Sequence, residues 1–237
     1  MKIVAQIIRI LIGGLFIFSG AVKLNDPYGT AYMLNEYFEV FSSDFSPIFH
    51  HFLPYTLFLS LVLCAFEVIL GIAIILNYKM NKTILVALLL TIFFTFLTFY
   101  SFYFDKVKEC GCFGTVIKMS PLESFYKNVV TLFLILVIFA RRNDFKPFMT
   151  EKMANMVMLF VFVFTFGIGY YIVEHLPLID NLNYKVGNYL PKLMQPEEKP
   201  KYKWIMEKDG KEYEFGDSNY PTDPAYKYKR HELIGDS

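Results

Sequence analysis

Cysteine is scarce in this chain: three in 237 residues, at positions 64, 110 and 112. That is too few for a fold built on disulfides. An excess of charge of either sign is missing too. The chain has 23 Lys and Arg against 22 Asp and Glu, so there is no footprint for nucleic acid, and none is expected as a partner. A small-residue cleavage site is also missing after the first apolar run. Ser19-Gly20-Ala21-Val22-Lys23 is a poor match, and the run is long for a signal-peptide core, so it is expected to stay as an uncleaved helix. What the chain has in abundance is apolar residues, at 55%. Soluble domains usually sit at about 45–50%.

The excess is concentrated in blocks at residues 3–22, 52–76, 83–104, 122–140 and 153–173. Each approaches the roughly 20 residues needed to cross a bilayer. The expected fold class is an all-α membrane protein: a four-helix transmembrane bundle over residues 1–145, a fifth transmembrane helix over 146–176, and a small extracytoplasmic tail over 177–237 containing a β-hairpin. Between the first two spans, Asn25-Asp26-Pro27 reads as a helix start. Ala31, Leu34, Tyr37, Phe38 and Phe41 then recur at near-helical spacing, which predicts a short amphipathic helix lying on the membrane surface. In the tail, alternating segments 201–206 and 211–215 flank Asp209-Gly210, a strong hairpin signal. A lone hairpin is marginal in water, so the tail needs a partner surface or opens a domain.

Five spans put the termini on opposite sides. With the N terminus inside, the inner segments carry Lys2, Lys79, Lys82, Arg141, Arg142, Lys146 and Lys152, against Lys23, Lys106, Lys108 and Lys118 outside. Short cytoplasmic loops carry the Lys/Arg excess, so the N terminus is expected in the cytoplasm and the tail beyond it. Disulfides persist on that outer side.

Cys110-Gly111-Cys112-Phe113-Gly114 lies on the loop between the third and fourth spans. Cys110 and Cys112 are the candidate catalytic residues. A bridge between residues two apart closes a small ring, which Gly111 makes feasible at some strain. Strained, exposed disulfides are the exchange-competent kind. A staple over so short a loop adds little stability. A structural turn remains an alternative, as does a soft-metal site recruiting His50 and His51; a metal site usually needs more ligands, and none is expected.

Charges inside spans are costly and mark functional or packing sites. Arg9 and Glu67 lie at comparable depths and form a candidate intramembrane pair, read first as a tie between helices and second as a proton site. Lys23 and Asp26 form a candidate interfacial pair. Cys64 reads as small apolar filler. Gly13, Gly14, Gly20, Gly71, Gly167 and Gly169 suit close helix contacts. No cofactor is certain; the crowd of aromatic side chains keeps a quinone open.

Three stretches in order, Phe18 to Pro27, Glu67 to Gly71, and Cys110 to Gly114, resemble the DoxX-like membrane proteins, in particular the branch related to MauE, the methylamine-utilisation protein, in its Bacteroidetes form. The resemblance covers about residues 1–145. It implies a four-helix membrane bundle in the bacterial inner membrane and a role in thiol–disulfide exchange or electron transfer outside the cytoplasm. Only Cys110 and Cys112 match positions with a proposed redox role. Some relatives continue into a thioredoxin-like domain, and this tail resembles its lead-in. The chain has no Cys-x-x-Cys, so the thioredoxin-like or other thiol partner acts in trans or the chain is truncated. Besides the bilayer and that partner, subunits of an envelope complex are expected candidates. The alternative function is a non-enzymatic membrane subunit or scaffold that docks envelope partners through the tail.

Overall fold

The computed structural model describes residues 2–104, 106, 119–175, 177–179, 201–208, 211–216 and 226–234. Six α-helices occupy Lys2–Asn25 (α1), Pro27–Asp44 (α2), Thr56–Ile75 (α3), Met80–Phe104 (α4), Pro121–Ala140 (α5) and Glu151–Glu174 (α6). A 3-10 segment, Pro47–Tyr55, leads into α3. Among the described residues, five stretches are long and apolar enough to cross a membrane: α1, Pro47–Ile75, α4, α5 and α6. Their outward faces carry large apolar side chains such as Phe58, Leu89, Phe93, Phe133 and Phe160. Such a belt is at home in hydrocarbon and not in water.

The core forms between α1, α3, α4 and α5, where Ile12, Ile74, Ile84, Ile135 and Ile138 are fully buried. Lipid tails are as apolar as leucine, so close packing must draw the helices together. Glycines supply it. A Cβ on Gly13 would sit 2.9 Å from the Gly71 carbonyl oxygen, and one on Gly20 would sit 2.9 Å from that of Cys64. Seven residues forward on α1 correspond to seven back on α3, so the two helices run antiparallel in a fixed register. Gly169 of α6 likewise lies against Leu61 and Leu24. Gly14 and Gly167 have open space instead.

The amphipathic helix expected after the first span is present as α2. α2 runs 18 residues and packs its face onto the bundle, burying Thr30, Ala31, Leu34, Tyr37 and Phe41. Polar groups on that face find partners in the bundle: Tyr37 Oη lies 2.6 Å from Ser101 Oγ, and Ser60 Oγ donates to the Pro27 carbonyl at 2.7 Å. Tyr37, Phe41, Leu97 and Tyr100 form a second small core there. α2 thus caps the end of the bundle where α1 and α4 finish and α3 and α5 begin. Its start is set by Pro27 at the first position and by Asp26, whose carboxylate accepts the Gly29 N–H at 3.0 Å.

α6 is clasped at both ends. Tyr78 Oη donates to Asn155 Oδ1 at 2.8 Å. At the capped end the Asn25 amide both donates to the Ile179 carbonyl (2.7 Å) and accepts the Ile179 N–H (3.0 Å).

The chain divides at Asn181 and Leu182 into two compact units. In the second, strands Lys201–Lys208 (β1), Lys211–Gly216 (β2) and Lys227–Ile234 (β3) form an antiparallel sheet in the order β2-β1-β3. The expected hairpin is present, with Lys208 opposite Lys211. A third strand on the far edge of β1 supplies the support a lone hairpin lacks. Ile205 and Met206 are buried. Glu207 stands opposite Glu212, and Lys229 of β3 answers both, at 3.6 and 2.7 Å.

Candidate functional site

Cys110 and Cys112 lie outside the described residues. The framework around their loop is described. On the α4 side, the Lys106 ammonium lies 2.6 Å from both carboxylate oxygens of Asp44, at the end of α2, and the Tyr100 hydroxyl donates to the same carboxylate. Lys106, and then Tyr100, hold the Asp44 carboxyl below its ordinary value by hydrogen bonding to its charged form. On the α5 side, Ser120 and Glu123 form a reciprocal capping box with Pro121 at the first helical turn. The segment therefore leaves one tied point and arrives at another, both at the α2-capped end of the bundle.

Beneath this end lies a buried ion pair. The Lys23 ammonium donates to the Glu67 carboxylate, with side-chain exposures of 6% and 3%. Lys23 Nζ also lies 5.0 Å from the centre of the Phe94 ring. The pair corrects the Arg9–Glu67 pairing read from the sequence. Arg9 does not meet Glu67. Its guanidinium donates to the Ile74 and Ile75 carbonyls (3.1 and 2.5 Å) and to Asn77 Oδ1 (2.6 Å). It closes the C-terminal end of α3, where carbonyls lack helical partners. Asp26 caps α2, while the ammonium of Lys23 reaches Glu67.

Side-chain direction explains the choice. In a helix the Cα–Cβ bonds tilt toward the N-terminus. In antiparallel α1 and α3 these tilts oppose each other. The glycine register leaves Arg9 opposite Ile75, from which point Arg9 and Glu67 lean apart. Lys23 leans back along α1 while Glu67 leans up along α3, and the two converge. Gly20 is what lets them meet, since a Cβ there would lie 2.9 Å from that of Glu67.

The pair lines a cavity of about 60 Å³ between α1, α2, α3, α4 and α5, together with Ser19, Tyr37, Thr91, Thr98, Asn128 and Thr131. Asn128 ties α5 to α4 through the Phe94 carbonyl and Thr98 Oγ1, each at 3.3 Å. The volume suits a few water molecules held by polar partners. The Lys23–Glu67 pairing was missed in the sequence, although both residues sat in stretches already singled out. Helix direction and the glycine spacing together carried the signal.

Cys64 is completely buried, with its sulfur 3.9 Å from Thr30 Oγ1. His50 and His51 are exposed on the 3-10 segment. Among the described residues no three His, Cys, Asp or Glu side chains converge to hold a metal.

The family model described as "Methylamine utilisation protein MauE" matches residues 1–141. A second model, a domain of unknown function (DUF8463), matches residues 200–234, the three-stranded sheet. Protein TlpB of Flavobacterium psychrophilum is 31% identical over 170 residues, covering 65% of this chain and 43% of TlpB. The chain thus spans less than half of that relative. No solved structure matches. The match to residues 1–141 takes in the helical bundle, the buried Lys23–Glu67 pair and the Cys-Gly-Cys segment, and the chain belongs to the MauE family of membrane proteins.

Proposed function

We propose that this protein is a thiol–disulfide redox component of the bacterial inner membrane, acting on exported proteins through Cys110 and Cys112, with its N terminus in the cytoplasm and its tail in the periplasm. The kinship with DoxX-like proteins belongs to the same reading. The observation that carries it is the setting of the Cys-Gly-Cys segment. It joins two spanning helices at the tied, α2-capped end of the bundle, and it falls within the MauE match. Cys110 follows Lys106 by four positions, so chain length alone keeps their Cα atoms within about 14 Å. The Lys/Arg-rich segments holding Lys79, Lys82, Arg141 and Arg142 belong to the opposite end, which supports an external dithiol.

The step balances without any further reagent. A thiolate of the Cys110/Cys112 pair attacks a partner disulfide, forming a mixed disulfide and releasing one partner thiolate. The second cysteine then displaces the other partner sulfur and closes the Cys110–Cys112 disulfide. Two electrons and two protons pass to the partner, and the reverse sequence oxidises a partner dithiol. A thioredoxin-like protein suits this exchange. The bundle's share is to hold the segment's anchors still: Asp44 grips Lys106, and the Lys23–Glu67 pair locks α1 to α3 under the cap. No step is routed through a quinone.

Cys110→Ser and Cys112→Ser, made singly, should each abolish redox exchange with exported thiol proteins, read as the ratio of oxidised to reduced partner in whole cells, while insertion and abundance stay unchanged. Normal partner oxidation in both single variants would refute the proposal.

A further inference from the structure

The opposite end of the bundle holds a feature that thiol chemistry does not use. A cleft of about 400 Å³ opens between the α3–α4 turn and the α5–α6 connection, lined by Lys79, Asn81, Lys82, Arg142 and Asn143, with Phe145 at its floor. Three cations from two separate segments converge on it, and its lining contains no Asp or Glu. The nearest acid on the connection, Asp144, is engaged by Arg141 at 3.7 Å. Arg142 is steadied by a 2.8 Å bond to the Phe139 carbonyl and by that residue's ring, 4.2 Å away. Lys79 stands at φ 41°, a conformation in which a side chain costs strain that glycine avoids.

Above the cleft, Leu85 and Leu89 continue the face of α4 that Asn81 and Lys82 begin, one and two turns along, and both are exposed. A cationic hollow with two free-standing amides thus sits directly below an apolar stripe, at the end of a spanning helix. We propose that this cleft binds the phosphodiester headgroup of an anionic glycerophospholipid from the surrounding bilayer, with the acyl chains lying along Leu85 and Leu89. Ammonium and guanidinium groups take the phosphate oxygens, and Asn81 and Asn143 take the headgroup hydroxyls. Basic pockets between spanning helices are suited to such headgroups.

The test uses the full chain in a neutral detergent, titrated with dioleoylphosphatidylglycerol, dioleoylphosphatidylcholine or glycerol 3-phosphate, with bound copies counted by native mass spectrometry. One phosphatidylglycerol should bind saturably, and phosphatidylcholine and glycerol 3-phosphate should bind at least tenfold more weakly. Each cation removed should weaken phosphatidylglycerol roughly fivefold, so Lys79→Gln/Lys82→Gln should cost well over tenfold. Lys152→Gln, which removes a charge outside the cleft, should change nothing. Asn81→Asp, an exposed substitution that spares the packing, should weaken binding even if the double variant fails to fold. Equal binding of the two lipids would overturn the proposal, as would full affinity in Asn81→Asp or an equal loss in Lys152→Gln. Glycerol 3-phosphate binding as tightly as the lipid would also overturn it, by showing a site for a soluble phosphate.

Discussion

Glu67 is a carboxylate buried in a spanning helix, and it is tolerable there because Lys23 meets it. Removing one partner strands the other. Lys23→Met or Glu67→Gln alone is expected to cost about 3–5 kcal/mol, read as loss of thermal stability in detergent. The double variant Lys23→Met/Glu67→Leu should recover most of it, since a well-packed apolar pair often replaces a buried ion pair without loss. No recovery would mean that the pair does more than tie α1 to α3. Asp44 makes a different prediction because it is outside the spans. Its carboxyl is held below its ordinary value by Lys106 and Tyr100, so the stability it adds is present above the ordinary carboxylate pKa and is lost as pH falls through the lowered one. The stability gap between wild type and Asp44→Asn should stay constant from neutral pH downward and close only below about pH 4, the ordinary carboxylate range. A gap that closes near neutrality would point to another group.

Among the elements, α1 and α3 meet through glycine, and a glycine at that contact and one away from it should respond in opposite ways. Gly71→Ala would place a Cβ 2.6 Å from the Gly13 carbonyl oxygen, a backbone atom that cannot swing aside. A loss of about 1–3 kcal/mol is expected. Gly14→Ala meets nothing within 4 Å and should be neutral or gain up to about 1 kcal/mol in helix propensity. The same elements show what the sequence made legible. The five spans were readable because bilayer thickness imposes their length. The β1–β2 hairpin was readable because Asp209-Gly210 marks its turn locally. The third strand was not, because β3 pairs with β1 across a long separation and its Tyr/Lys alternation contains few apolar residues. The surface that covers α2 was not legible, because its spacing announces an amphipathic face without naming what that face packs on. The hydroxyl partners of Tyr37 and Ser60 and the small core of Tyr37, Phe41, Leu97 and Tyr100 place that face on the bundle.

On the scale of the whole molecule, the bundle has two unlike ends. One is capped by α2, tied by Asp44 and Lys106, and continues into the segment bearing Cys110 and Cys112. The other gathers Lys79, Lys82 and Arg142 around a cleft, beside the Arg9–Asn77 knot. Of the three stretches that resembled the MauE branch, two prove to be in direct contact through Lys23 and Glu67; sequence order alone could not reveal this, since contact depends on helix direction and register. The proposed function requires Cys110 and Cys112 to form an external, redox-active pair. Its most direct test is labelling in intact cells with a maleimide that crosses the outer but not the cytoplasmic membrane, before and after mild reduction. The account predicts that Cys110 and Cys112 react only after reduction and that buried Cys64 stays unlabelled. Labelling that requires a permeabilised cytoplasmic membrane, or that is the same with and without reductant, would contradict it.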